Sequence, residues 1–246
     1  MIGVDSLDRL RSDVCDCRRC PRLVDWRQQV AVEKRASYRD QEYWGRPISG
    51  FGDGGARILV LGLAPAAHGA NRTGRVFTGD RSGDWLFRAM HRAGLANQPE
   101  SVSADDGLAL RDAWVTAAVK CAPPDNKPLP DERDECRPFL RRELALLPDV
   151  CVVVCLGAFA YEAACQEYGV RPRPKFGHLA EVATPDGGPA LLCSFHPSQQ
   201  NTFTGRLTEP MLDAVFTRAV ELAELARPRQ RRRRSSTRVT GRPGTV

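Results

Sequence analysis

The sequence predicts an α/β fold built on a four-stranded parallel sheet, and three observations point there. Four apolar runs rich in β-branched residues recur along the chain, and a helical pattern follows each. The unusual polar and Gly-rich segments fall where a strand hands over to a helix, the signature of repeated βα units. At 246 residues the chain suits one such domain with a sizeable core, assigned to residues 1–226, and leaves little room for a second.

The elements follow in order. An extension of about fifty residues carries Cys15, Cys17 and Cys20 and an aromatic, charged stretch to Phe51. The first strand is predicted at 58–64, followed by a Gly-rich loop and an amphipathic helix at 85–93. The second, 113–119, leads through a Pro-rich loop into a helix at 132–147. The third, 149–156, meets Gly157 and a helix at 159–168; the fourth, 190–195, precedes a loop and a last helix at 209–226.

Charge is unevenly placed. The formal net charge is +6, yet eight arginines and no acid lie from Arg227 onward, so the body carries 28 basic against 30 acidic residues. A basic face on the body must therefore come from local clustering. The 227–246 tail has almost no apolar residue to bury and reads as disordered, with a charge able either to track a phosphate backbone or to stay solvated with no fixed partner. No stretch approaches the ~20 apolar residues of a membrane span, and no signal-peptide core opens the chain, so a cytoplasmic location is the expectation, with a monomer as the default.

In open parallel sheets the ligand crevice lies beyond the carboxyl ends of the strands. Three of the four strand ends feed unusual loops: 64–80, 120–127 and 196–208. Each has a plainer reading. The Gly-rich loop would simply tighten a turn, Asp80 would cap the following helix, Asn126 would close an Asx-turn, and His196 would be satisfied by backbone. Their joint placement on one crevice favours a site. Clustered carboxylates for a two-metal nuclease are lacking at these strand ends.

Nine cysteines in a chain with no secretion signal argue against a disulfide framework. Cys151, Cys155, Cys165 and Cys193 lie in apolar strands or a helix and read as core. Cys17 and Cys20 form a CxxC, and Cys121 and Cys136 flank the second loop, completing a four-thiolate set for zinc or a [4Fe–4S] cluster. Cys15 is the spare, and a register exchange with Cys17 stays open.

The segment Gly62-Leu-Ala-Pro-Ala-Ala-His-Gly-Ala-Asn-Arg-Thr-Gly-Arg75, with Phe77-Thr-Gly-Asp80, closely resembles the first active-site motif of family 5 uracil-DNA glycosylases. His196-Pro-Ser-Gln-Gln-Asn-Thr-Phe-Thr-Gly-Arg-Leu-Thr208 resembles their second, and the four cysteines match the spacing of the iron–sulfur families 4 and 5. Leu63 stands where other families place an acidic or amide residue, Ala117 replaces the family 4 uracil-reading asparagine, and Gln199 stands where proline is more usual.

The resemblance implies a three-layer α/β/α fold, a [4Fe–4S] cluster on Cys17, Cys20, Cys121 and Cys136, and excision of uracil from DNA. It implies relaxed specificity that extends to hypoxanthine. By the same resemblance Phe77 would stack on a flipped base, and the amides of Ala66, Ala67 and His68 would meet its carbonyls. His196 would donate to uracil O2, while Asp80 and Asn126 would position water and read the base. Residues 198–206, with Gln199 and Asn201, would press into the minor groove, and Arg72, Arg75 and Arg206 would touch phosphates. A non-catalytic DNA-binding module explains the cysteines and tail but leaves the three loops idle.

Overall fold

The computed structural model describes residues 5–226; the Arg-rich tail lies outside them. Two helices organise the N-terminal extension: α1, Leu7–Cys15, and α2, Pro21–Glu33. The Ser6 hydroxyl caps α1 by accepting from Arg9 N at 3.2 Å, and Pro21 starts α2 at its first position. The sequence reading leaves this extension without elements, so both helices are additions to it.

The chain then enters a sheet through β1, Phe51–Gly52, and β2, Ile58–Gly62. Next come α3, Ala70–Thr73, within the Gly-rich loop, α4, Arg81–Arg92, and β3, Ala113–Ala117. The second half runs α5, Pro130–Ala145, β4, Val152–Leu156, and α6, Ala158–Glu167. It closes with β5, Glu181–Val182, β6, Ala190–Ser194, α7, Gln199–Phe203, and α8, Glu209–Leu225.

Strand order is β1-β3-β2-β4-β6-β5. The four predicted strands form the parallel centre, β3-β2-β4-β6. The sheet is nevertheless six-stranded and mixed, because β1 pairs antiparallel with β3 and β5 with β6. Strands of two residues carry no periodicity for a sequence reading to detect, and their shortness leaves little unpaired edge.

Side chains alternate between two apolar layers. Ile58, Val60, Val152 and Val154 pack with Leu86, Phe87 and Met90 of α4 and Leu212, Val215 and Phe216 of α8. Their neighbours Leu59, Leu61, Val153, Cys155 and Cys193 pack with Leu140 of α5 and Tyr161 and Ala164 of α6. Strands covered on both faces read as unbroken apolar runs, which is why the centre was legible and why the fold is three-layered. Cys155, Cys165 and Cys193 are buried as expected; Cys151 falls just before β4 and is half-buried, not a strand residue. Among the described residues no helix is long and apolar enough to cross a membrane.

Candidate active site

Beyond the carboxyl ends of the central strands lies a cavity of about 570 Å³. Leu63, Ala64 and Ala66 reach it from the end of β2, and Phe77, Asp80 and Arg81 from the rest of that loop and the start of α4. Asp125 and Asn126 arrive after β3, and His196, Ser198, Gln199 and Gln200 after β6. The three loops thus converge on one crevice.

Phe77 is buried and takes left-handed backbone geometry, φ 54°, uncommon for an aromatic residue. Its ring presses so closely on the end of β2 that a Cβ added at Gly62 would lie 2.6 Å from Phe77 Cζ. The His196 ring lies 5.9 Å away, centroid to centroid, at an interplanar angle of 33°. Two rings therefore wall one side of the cavity.

Asp80 is the N-cap of α4, with Oδ1 accepting from Gly83 N at 3.0 Å. The plain reading and the functional one thus coexist in one carboxylate. A Cβ at Gly69 would lie 2.0 Å from Asp80 Oδ2, so the bare backbone of the first motif makes room for that oxygen. Burial raises the Asp80 pKa, and the Gly83 and Ser82 amides oppose the rise.

His196 follows β6, and its carbonyl accepts from Asn201 Nδ2 at 2.9 Å. Desolvation lowers its pKa to about 4, so at neutral pH the imidazole is uncharged and carries one N–H. The preceding residue is held too: Phe195 N donates to His178 Nδ1 at 3.2 Å, and the two rings stack at 5.1 Å. Asp125 and Asn126 sit at the exposed rim with φ 54° and 55°, a conformation these residue types tolerate.

Other expected residues stand elsewhere. Ala67 and His68 are not among the cavity-lining residues, and His68 Nδ1 is 3.0 Å from the Tyr43 hydroxyl. Arg72 is buried and donates to the carbonyls of His68 and Gly79 and to Gln41 Oε1. Arg75 is buried against Asp106 at 2.7 Å, with Thr78 and Ser101 alongside. Both guanidiniums brace the first motif from inside, and the expectation of phosphate contacts gives way to that role. Arg206 is exposed and lies 4.7 Å over the Phe195 ring; Gln199 and Asn201 belong to α7, where the sequence reading expects only loop.

The four cysteines gather where α1 and α2 meet β3 and α5. Cys121 and Cys136 are buried with Leu23 and Val119, and Cys20 packs on them; Cys17 packs beside Leu10, Val14 and Phe139. Burial, then the charge of Cys136, pushes the Cys20 thiol up to about 11. Burial and the same neighbour take Cys121 to about 12. Cys15 stands apart: burial raises its pKa, and the charges acting on it belong to Arg46, Arg11 and Asp16. Among the described residues no three His, Cys, Asp or Glu converge on a single-ion site.

A family model described as the uracil DNA glycosylase superfamily matches residues 49–220. A type-5 uracil-DNA glycosylase of Mycobacterium bovis is 53% identical over 224 residues, covering 90% of this chain and 83% of that protein. One from Mycobacterium leprae is 51% identical over 90% of this chain and 97% of its own length. One from Thermus thermophilus is 52% identical over 85% and 94%. The chain belongs to the type-5 uracil-DNA glycosylases.

For a type-5 uracil-DNA glycosylase, the structure adds residues that the motifs do not single out. Asp125 and Arg81 line the cavity, beside Ser198 and Gln200 of the second motif. Phe203, at the end of α7, is 68% exposed, and the Arg81 guanidinium lies 4.3 Å over its ring. An aromatic residue in a polar segment was the available signal for Phe203. Nothing in the sequence marks His178, whose place behind Phe195 is purely tertiary.

Proposed function

We propose that this type-5 uracil-DNA glycosylase hydrolyses the N-glycosidic bond of uracil, and of other deaminated bases such as hypoxanthine, to start base excision repair as a cytoplasmic monomer. The observation that carries the proposal is the meeting of Phe77, Asp80, Asn126 and His196 in one cavity beyond the strand ends.

The chemistry requires an oxocarbenium-like sugar and a departing base anion to be stabilised together, on a nucleotide turned out of the duplex. Phe77 offers the stacking face, and the amide of Ala66, which lines the same cavity, meets a base carbonyl. The neutral His196 imidazole donates its N–H to the O2 of the leaving base, where charge grows only as the bond breaks. The Asp80 carboxylate holds the attacking water and faces the sugar cation. Its raised pKa makes it a stronger proton acceptor than a solvated aspartate. Asn126 at the rim reads the base or steadies that water. With Leu63 and Ala117 apolar, few groups discriminate one base from another, which supports a broad substrate range.

On the DNA side, Gln199, Asn201 and Arg206 follow the strand while the exposed Phe203 wedges into the gap left by the flipped base. Cys17, Cys20, Cys121 and Cys136 hold a [4Fe–4S] cluster. Cys20, Cys121 and Cys136 share one apolar cluster and Cys17 packs in another beside Phe139, and four thiolates are the ligand set a [4Fe–4S] cluster takes. When bound, it serves as a structural cross-link between the N-terminal helices and the loop after β3.

The test uses duplexes with a single uracil, hypoxanthine or thymine, incubated in EDTA and then treated with hot alkali. Breaks at uracil and hypoxanthine but not thymine are expected. Breaks at uracil alone would refute the broad range, and none at all from iron-loaded protein would refute the activity.

A further inference from the structure

We propose that Arg27 is the built-in counter-charge of the four-cysteine centre, a buried guanidinium that donates to its sulfur and sets its reduction potential. This rests on the iron–sulfur reading above.

Arg27 stands on α2 seven residues after Cys20, two helical turns along the same face. It is 2% exposed, the most enclosed cation in the described chain alongside Lys120. Lys120 is paired with Glu143 at 2.7 Å and Arg75 with Asp106. Among the described residues Arg27 has no carboxylate partner. Its Nη1 donates to the Gly45 carbonyl, and its Nη2 lies 3.5 Å from the Cys17 carbonyl. Nε is buried with no hydrogen-bond partner.

A buried cation with an unspent N–H and no anion is costly unless an anion belongs beside it. The nearby groups able to supply one are sulfurs. The guanidinium reaches the Cys17 main chain at 3.5 Å, and the helix that carries it opens from Cys20. A cluster ligated by four thiolates is a net anion. Placed among Leu23, Val119 and the cysteines, it would meet little solvent to stabilise it. A fixed guanidinium supplies that compensation, and hydrogen bonds to sulfur are among the determinants of cluster potential. Arginine suits the position better than lysine, because its fork serves the Gly45 and Cys17 carbonyls while a further N–H stays available.

The same residue touches the first motif. Its backbone carbonyl accepts from Asn71 Nδ2 at 3.1 Å, and Asn71 is fully buried in α3. Activity would therefore mix two effects, so the deciding measurement is electrochemical. Full-length protein, its Arg27→Gln variant and its Arg27→Lys variant are purified anaerobically. Each is assayed for iron and sulfide content, midpoint potential and the rate at which a chelator bleaches the cluster.

In Arg27→Gln the lost positive charge disfavours the electron-rich state. The equilibrium for reduction should fall about tenfold, a downward shift of about 59 mV for a one-electron couple. Bleaching should accelerate, and Arg27→Lys should shift less. Unchanged potential and bleaching in an iron-loaded Arg27→Gln protein would overturn the proposal alone. Wild-type protein that takes up zinc and no iron would overturn the cofactor reading and the proposal with it. If Arg27→Gln will not load, Arg27→Lys decides: iron retained by the lysine variant supports the charge requirement, and iron lost equally from both overturns it.

Discussion

Gly69→Ala should disable the site without removing any functional group. The added Cβ would lie 2.0 Å from Asp80 Oδ2 and within 2.9 Å of the Asp80 Cβ, closer than the 3.0 Å that real Cβ contacts respect. The carboxylate must therefore retreat by about 1 Å, a displacement that costs on the order of 10²-fold when it separates reacting groups. Because Oδ1 also caps α4, the retreat should weaken the bond to Gly83 N and cost up to about 1–2 kcal/mol of stability. Asp80→Asn is the companion. Asparagine is an equally good cap, so that variant should keep its stability and lose excision. Single-turnover excision of uracil and thermal melting would be measured on both. Wild-type excision by folded Gly69→Ala protein would refute the claim that the placement of Asp80, and not only its presence, matters.

His196→Ala should slow excision by about 10²–10³-fold with the fold intact, and an unchanged single-turnover rate would remove its assigned role. Because the folded His196 pKa is about 4 against 6.5 unfolded, its contribution is full above pH 6.5 and lost as pH falls toward 4. Roughly 3 kcal/mol would disappear across that window, read as the difference between wild-type and His196→Ala urea midpoints; parallel pH profiles would contradict it. Glu143→Ala should destabilise by about 3–5 kcal/mol, since it strands buried Lys120; a melting change within 1–2 °C would refute that. Phe203→Ala should cost about 1–3 kcal/mol in binding to duplex substrate with little effect on melting, and equal affinity would argue against a wedge.

The central sheet and the first- and second-motif residues were legible because local pattern carries them. Continuous apolar runs announce strands buried on both faces, and long glycine-rich motifs announce unusual backbone. What escaped depends on distant partners. Glu143 looks like a surface residue of a helix, yet it is 1% exposed and accepts from Trp114, Thr116, Lys120 and Gly50. Arg72 and Arg75 escaped for the same reason in reverse: in an arginine-rich chain, nothing local separates a guanidinium that faces solvent from one turned inward. The helices of the extension have their start signals in Ser6 and Pro21, but their buried apolar faces are short.

The pairing pattern of the sheet also has a temporal meaning. The Ile58↔Ala113, Ile58↔Val152 and Val152↔Ala190 pairs each join segments tens of residues apart, so the centre cannot zip up from neighbouring hairpins. During synthesis Phe77 and Asp80 emerge early, while the wall that holds His196 arrives only when β6 docks on β4 and α8 covers the layer. A partly made chain therefore has no complete pocket to receive a base. Competence comes late, with the folding of the last third of the domain.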